Sequence, residues 1–257
     1  MSHISYSEFK IWTECPHKHK LMYKDGLKGF LGNEYTAFGT AIHSTCEKTL
    51  QLKNDLNHGN HFQLEFFKEL EKLIVKGVKT NKKLLEDMSN QGKTLAPLSY
   101  PALQGHFEEF EVISTEEQLY EPIDEVLDSK YSFKGFIDVV LRTSDGKYHI
   151  IDWKTCSWGW NAKKKNDALV TYQLTLYKHY FAKKHNIEPK NIETHFALLK
   201  RTAKKDNVEI FRVTSGKKKT ENALNYLKKA LHNIDSSNCP CLLYTSDAAD
   251  RSTLCRS

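Results

Sequence analysis

Two apolar stretches of the sequence each carry an aspartate: GFIDVV at residues 135–140 and IIDWKT at residues 150–155. Both stretches have the apolar composition of buried β-strands. Burying a charged side chain costs several kcal/mol unless it has a partner. Asp145-Gly146 lies between the stretches and predicts a tight hairpin turn. The resulting antiparallel pairing would bring Asp138 and Asp152 side by side.

Two neighbouring carboxylates favour the binding of a cation between them. They repel each other, and one would take up a proton unless a cation bridges them. Mg²⁺ or Mn²⁺ suits such oxygen ligands. Lys154 follows Asp152 by two residues, so its side chain leaves the strand on the same face and could stabilise charge on a phosphate. The alternative is a surface ladder of ion pairs, against which the apolar surroundings of both aspartates argue.

Two helical segments add candidate site residues. His43 and Glu47 share a face of one predicted helix, and Gly39 before them would allow close approach of the backbone. A histidine in such a place is also compatible with a packed core residue. Gln173 and Tyr177 share a face of a later helix in the same way, which is compatible with simple packing.

The periodicity of the whole chain predicts one α/β domain around a mixed sheet. A loop with Pro97 and Pro101 separates an N-terminal helical part from the strands. The first helical segment is expected to be two short helices that meet at Cys15-Pro16. The predicted helices cover residues 5–24, 36–53, 61–86, 165–185 and 216–234, and the predicted strands cover 110–123, 132–142, 147–155, 193–201 and 208–214.

Composition sets broad limits on location and partners. The chain has 257 residues, 39% of them hydrophobic, and a net charge of +6 with clustered lysines. The charge is compatible with a polyanionic partner and equally with a solvated lysine-rich face. No apolar run reaches about 18 residues and no signal-peptide core opens the chain, so we expect no membrane span and a cytoplasmic location. The six cysteines contain no CxxC pair and are expected to be reduced.

The last stretch, CLLYTSDAADRSTLCRS at residues 241–257, differs from the rest of the chain. It has no lysine and no helical or strand period. It resembles a translated sequencing adapter. We therefore expect a domain over residues 1–240, followed by a non-native or disordered tail.

Taken in order, these motifs resemble the PD-(D/E)xK nuclease superfamily, and most of all its RecB-type branch. The segments that carry the resemblance are SYSEFKIWTECP at the start, Gly39 to His43, GFID, IDWK and the pair Gln173 and Tyr177. The resemblance covers about residues 4–200. It implies a restriction-endonuclease-like α/β core, a mixed central sheet flanked by helices, and metal-dependent hydrolysis of DNA.

The resemblance also implies a role for each motif residue. It implies four ligands for Mg²⁺ or Mn²⁺: His43, Asp138, Asp152 and the backbone carbonyl of Trp153. Lys154 would be catalytic. Gln173 and Tyr177 would orient Lys154 or contact the DNA backbone.

Some RecB-type nucleases hold an iron–sulfur cluster with a cysteine at the Cys-Pro position and three more near the C-terminus. Cys15 occupies that position here, and Cys239 lies where the C-terminal group would begin. Four thiolates are needed. A cluster is therefore expected only in a longer form of the protein, and Cys15 is otherwise a small buried residue.

Three functions fit these observations. The first is a metal-dependent exonuclease or endonuclease that acts on single- or double-stranded DNA, in repair, recombination or phage DNA processing. The second is a non-catalytic DNA-binding or scaffolding module on a nuclease fold. The third is a nuclease domain detached from a larger helicase–nuclease. The presence of both aspartates, the lysine and the histidine favours the first.

Overall fold

A mixed six-stranded sheet forms the centre of the computed structural model, which describes residues 2–27, 29–53, 55–124 and 131–236. The strand order is β2–β3–β4–β5–β6, and β1 pairs with the first part of β3 on the edge that faces β4. The β1–β3 and β4–β5 pairs are parallel and the others are antiparallel. The strands are β1 (Ser2–Ser5), β2 (Phe110–Pro122), β3 (Tyr131–Thr143), β4 (Tyr148–Cys156), β5 (Ile192–Lys200) and β6 (Val208–Val213).

The predicted hairpin is confirmed. β3 and β4 pair antiparallel from Val139–Ile151 to Arg142–Tyr148. The turn between them is closed by a hydrogen bond from Thr143 N–H to the Lys147 carbonyl. Gly146 lies in this turn with a φ of +81°, a conformation that glycine adopts without strain.

Helices cover both faces of the sheet and enclose a separate core on each. The first core lies under α1, α8 and α9, and the second lies under α3, α4, α5 and α6. In order, the helices are α1 (Tyr6–Glu14), α2 (Pro16–His19), α3 (Glu34–Gln51), α4 (His58–Val75), α5 (Lys82–Leu95), α6 (Ser99–Phe107), α7 (Ala162–Lys165), α8 (Ala168–His185) and α9 (Lys217–Asp235). The α/β architecture predicted from the sequence, a mixed central sheet flanked by helices, is confirmed. None of the helices in the described ranges has the length and apolar character needed to span a bilayer.

Because side chains alternate between the two faces of the sheet, the β3–β4 hairpin contributes residues to both cores. On β4, Ile150 packs into the first core, whereas Ile151 and Trp153 pack into the second. Successive strand residues point to opposite faces, so Asp152 belongs to the face covered by α8. The carboxylate of Asp152 therefore faces α8, although Ile150 and Ile151 before it on β4 are apolar.

The structure differs from the sequence prediction in three places. Residues 61–86 are not one helix, because Gly77 with a φ of +75° follows α4 and the side chain of Asn81 caps the start of α5. The expected loop around Pro97 and Pro101 is helical, since proline is tolerated in the first turn of a helix. The short strand β1 was not predicted, because four residues carry too little periodicity.

Candidate active site

The candidate site lies in a fork between β3 and β4. Their ladder ends at Val139 and Ile151, and the next residues along the two strands are Asp138 and Asp152. On the same edge of β3, β1 pairs only with residues 131–134. The edge of β3 at residues 135–138 thus lies between two strand partners, and the aspartates occupy this gap.

β3 changes direction at Asp138. Ile137 packs into the first core and Val139 into the second, although residues two apart in a regular strand share a face. Opposite this point on β2, Glu116 has a φ of +50°, which is strained for a residue with a side chain. Backbone strain of this kind is often found at functional sites. Asp138 thus contacts His43 of α3 on the side where Val139 packs, whereas Ile137 packs on the opposite side.

Asp138 interacts with α3 and with the backbone of β4. Its Oδ2 accepts a hydrogen bond of 2.7 Å from the Trp153 N–H and lies 3.5 Å from His43 Nδ1. Burial acts to raise the pKa of Asp138, but His43, Lys154 and the Trp153 N–H outweigh it and lower the pKa. Burial likewise acts to lower the pKa of His43, and the adjacent Asp138 raises it above the usual value. The metal-free pair therefore favours a carboxylate beside an imidazolium.

Asp152 is the most buried of the ionisable residues at the site, with 2% of its surface exposed. Gln173 donates a hydrogen bond of 2.7 Å to its Oδ1, and Lys154 Nζ lies 2.6 Å from its Oδ2. This Oδ2 is buried and accepts no hydrogen bond of good geometry, so the lysine compensates it as a charge. Burial raises the pKa of Asp152 to about 6, in spite of the nearby Lys154.

Helix α8 supplies the polar support for Asp152. Gln173 also donates to the Tyr177 hydroxyl, at 3.3 Å. The ring of Tyr177 lies against Gly135, where an added Cβ would meet Tyr177 Cε1 at 2.8 Å. The glycine of the GFID motif is therefore required for close approach of α8. Gly39 is different, because an added Cβ would lie 3.6 Å from Thr155 Oγ1, an ordinary contact, and the expected close approach at Gly39 is not observed.

The residues of the fork fit a hard divalent cation. Asp138 lies beside His43, and Asp152 on the neighbouring strand has a buried carboxylate oxygen without a hydrogen bond, although the ligand atoms of these three residues do not all lie within 4.8 Å of one another. The Trp153 N–H donates a hydrogen bond to Asp138, and the Lys154 ammonium forms an ion pair with Asp152. Pairwise contacts link the predicted site residues in two groups, His43 with Asp138 and Asp152 with Lys154, Gln173 and Tyr177, and their roles stay predictions.

A family model described as the PD-(D/E)XK nuclease superfamily matches residues 3–257. The chain belongs to this superfamily. The predicted superfamily is confirmed, whereas the RecB-type branch stays a prediction. No curated protein matches the chain.

One solved structure agrees with this superfamily assignment at the level of the fold. A "putative exonuclease" from Eubacterium rectale has a TM-score of 0.60 and 11% identity, over 97% of this chain and 88% of the other. At that identity the likeness shows the fold alone. The structure of SSO0001 has 16% identity over 88% of this chain and 85% of its own, with a TM-score of 0.36.

Two residues that the sequence analysis singled out, Glu47 and Cys15, lie outside the fork. Glu47 lies toward β2, where its carboxylate accepts a hydrogen bond from Gln51 and lies 3.5 Å from the Thr115 hydroxyl. The Cys15 sulfur accepts the Lys18 N–H and so caps α2. Cys239 lies outside the described residues, as does the predicted domain end at residue 240.

A cavity beside the fork contains residues that the sequence reasoning missed. Its volume is about 510 Å³, and Lys154 and Gln173 form part of its wall. Lys10 of α1 and Lys164 also line it, and Lys164 Nζ lies 4.7 Å from the centre of the Trp160 ring. The lysine run at residues 163–165 was visible in the sequence, but its position beside the site depends on the fold.

Proposed function

We propose that this nuclease-superfamily member is a metal-dependent nuclease that hydrolyses phosphodiester bonds in DNA. The observation that carries the proposal is the fork, in which Asp138, Asp152 and Lys154 meet His43 and Gln173. Asp152 is buried beside Lys154, and burial raises its pKa to about 6. Perturbed carboxylates in a cleft are typical of functional sites.

The ligands for the cation would be His43, Asp138, Asp152 and the Trp153 carbonyl. Mg²⁺ fits the oxygen ligands, and the imidazole makes Mn²⁺ an alternative. A cation bound there supplies Lewis-acid stabilisation of the phosphate and lowers the pKa of a coordinated water. The imidazole of His43 must be neutral to act as a ligand.

Lys154 would stabilise negative charge on the substrate, and Gln173 and Tyr177 would hold Asp152 in position. The ammonium of Lys154 is 31% exposed and faces the cavity, so it can contact a phosphate that enters from solvent. It would stabilise the negative charge that develops on the phosphate oxygens during hydrolysis. Gln173 holds Asp152 in one orientation through its amide, and Tyr177 fixes Gln173 in turn.

The surroundings of the fork favour a nucleic acid strand as substrate. Lys10 and Lys164 place positive charge along the cavity wall, and Trp160 adds an aromatic ring. Lysines contact phosphates, and aromatic rings stack on bases of single strands. The net charge of +6 agrees with a polyanionic partner. We propose DNA, single- or double-stranded, as that partner, in line with the resemblance to RecB-type nucleases.

The test compares wild type with Asp152→Asn on linear and circular DNA, single- and double-stranded, and on RNA. We expect wild type to cleave DNA with Mg²⁺ or Mn²⁺ and to stop on chelation, and Asp152→Asn to be inactive. Asp145→Asn, at an exposed turn, is the matched control and should cleave like wild type. Cleavage of linear DNA alone would indicate an exonuclease. DNA binding without cleavage under every condition would overturn the proposal in favour of a non-catalytic module.

A further inference from the structure

A second group of metal-ligand side chains lies at the other end of β4 from the fork. A ring nitrogen of His149, a ring nitrogen of His195 and a carboxylate oxygen of Glu193 all lie within 4.8 Å of one another. His149 is opposite Glu193 in the β4–β5 ladder, and Ile151 is opposite His195. We call these three residues the histidine cluster. It lies on the face covered by α6, whereas Asp152 lies on the face covered by α8.

The two histidine rings have a spacing close to that of ligands on one metal ion. His149 Nδ1 is 3.1 Å from His195 Nε2. Two nitrogens at 2.0–2.1 Å from a tetrahedral Zn²⁺ would be about 3.4 Å apart. A metal ion would thus require only a small movement of the rings. The same distance fits a hydrogen bond between neutral rings, so spacing alone does not distinguish the two.

The orientation of His149 leaves a lone pair directed at His195. His149 Nε2 lies 3.0 Å from Thr143 Oγ1, and this hydroxyl lies 2.5 Å from Asp145 Oδ1. A carboxylate only accepts, so the single hydroxyl proton goes to Asp145 and Thr143 accepts the Nε2–H of His149. Nδ1 of His149 is then unprotonated. Metal-binding histidines usually donate their other N–H to an oxygen in this way.

His195 is not satisfied as a core residue. It is 3% exposed, and its Nδ1 has no hydrogen-bond partner. In either neutral tautomer this nitrogen is a buried polar atom without a partner, which is uncommon in folded proteins. The contact between the two rings therefore leaves one nitrogen of His195 unsatisfied.

The third ligand side chain of the cluster, Glu193, lies on its solvent side. Glu193 Oε1 lies 3.2 Å from Arg212 NH2 and 3.8 Å from Lys147 Nζ. The side chains of Arg212 and Lys147 are 58% and 44% exposed, and ion pairs in such positions contribute little to stability. Thr143, which contacts His149, also lines a surface cleft of about 410 Å³, through which an ion could enter.

We propose that His149, Glu193 and His195 bind a structural Zn²⁺ ion, separate from the nuclease site. Two imidazoles and one carboxylate are a ligand set that suits zinc, whereas Mg²⁺ prefers oxygen ligands alone. Water or a fourth side chain would complete the coordination. The ion would link the β3–β4 hairpin to β5, and its role does not depend on nuclease activity.

The test uses the full chain with Asp152→Asn, which removes a central ligand of the nuclease site. Zn²⁺ titration by calorimetry, with Co²⁺ as a spectroscopic probe, should show one bound ion, and Zn²⁺ should raise the melting temperature. Adding His149→Gln or Glu193→Gln should weaken binding at least tenfold. His232→Ala, which removes an exposed histidine of α9, is the control and should leave the affinity unchanged.

Thr143→Val keeps all three ligands and tests the orientation of His149. We expect it to weaken Zn²⁺ binding by about 10- to 100-fold, the usual effect of removing a hydrogen bond to a ligand. Circular dichroism checks that each variant is folded. If a variant of a ligand residue does not fold, the Thr143→Val variant tests the proposal in its place. Absence of Zn²⁺ binding to Asp152→Asn would overturn the proposal. Equal affinity in the His149→Gln and Glu193→Gln variants would also overturn it.

Discussion

The two ends of β4 carry polar groups of opposite character in similarly buried surroundings. At one end, Asp152 lies 2.6 Å from an ammonium group in the fork. At the other end, His149 and His195 face each other as rings 3.1 Å apart. Burial is the largest influence on both: it raises the pKa of Asp152 to about 6 and lowers that of His195 to about 3.

This difference shows that desolvation favours the neutral form of each group, whatever its type. For the aspartate, the neutral form is favoured by acid. For the histidine, the neutral form is favoured by base. The metal-free protein is therefore expected to respond to pH in opposite directions at the two ends of one strand. At the aspartate end, a bound cation would offset the cost of burying the ionised carboxylate.

The largest expected effect is on catalysis at the fork. Lys154→Ala should lower kcat by a factor of roughly 10² or more, because one preorganised electrostatic group is lost. Metal binding should persist, since the carboxylates and His43 are retained. Single-turnover cleavage together with Mn²⁺ titration measures the two properties separately. The control is Lys190→Ala, which removes a lysine that is 76% exposed. Equal cleavage rates in wild type and Lys154→Ala would remove the lysine from the mechanism.

The second effect is a pH dependence of stability at Asp152. Its pKa is raised on folding, so its contribution to stability is full below about 3.9, the unfolded value, and is lost as pH rises through about 6. Metal-free wild type should therefore lose about 2 kcal/mol relative to Asp152→Asn between pH 4 and pH 8. Urea unfolding with a chelator at several pH values measures the difference. A constant difference across this range would show that Asp152 is not protonated near pH 6.

The third effect has the opposite sign and concerns His195. Its pKa is lowered on folding, so its contribution to stability is full above about 6.5 and is lost as pH falls toward 3. Between pH 7.5 and pH 4.5, metal-free wild type should lose about 2 kcal/mol relative to His195→Asn. The same unfolding series checks it, with His232→Ala as the control for an exposed histidine. If wild type lost the same free energy of unfolding relative to His195→Asn and relative to His232→Ala, the acid sensitivity would not lie at His195.

The contrast between the two ends also explains what the sequence could reveal. At the fork, aspartates interrupt apolar strands at short spacing from a lysine, and a turn between them predicts their pairing. Sequence periodicity therefore predicted five of the six strands and the hairpin that places Asp138 and Asp152 on neighbouring strands. At the histidine cluster, the residues are separated by 46 positions, and histidine in a strand is compatible with a core residue. The parallel β4–β5 pairing that joins them depends on the crossover through α8, which no local motif indicates.

Packing details were predictable only in part. Gly135 and Gly39 both appeared in motifs, and both were compatible with close backbone approach. The structure shows such an approach only at Gly135, because only there does another element lie within 3 Å of the position of a Cβ. The lysines of the cavity wall were similarly visible as a cluster of charge, without any indication of which surface they cover.

The smallest effect compares these two glycines and tests how tightly α8 is held against the fork. In Gly135→Ala, the new methyl group would meet Tyr177 Cε1 at 2.8 Å, so the ring must move. We expect a destabilisation of about 1 kcal/mol, at the low end for overpacking because a ring can tilt. Activity should also fall, since Tyr177 supports Gln173 and through it Asp152. In Gly39→Ala, the methyl group has room within α3, and replacing a helical glycine should stabilise by about 0.5 kcal/mol without loss of activity. Chemical unfolding and cleavage assays on both variants measure the contrast, and equal behaviour of the two would show that the approach of α8 at Gly135 does not constrain the site.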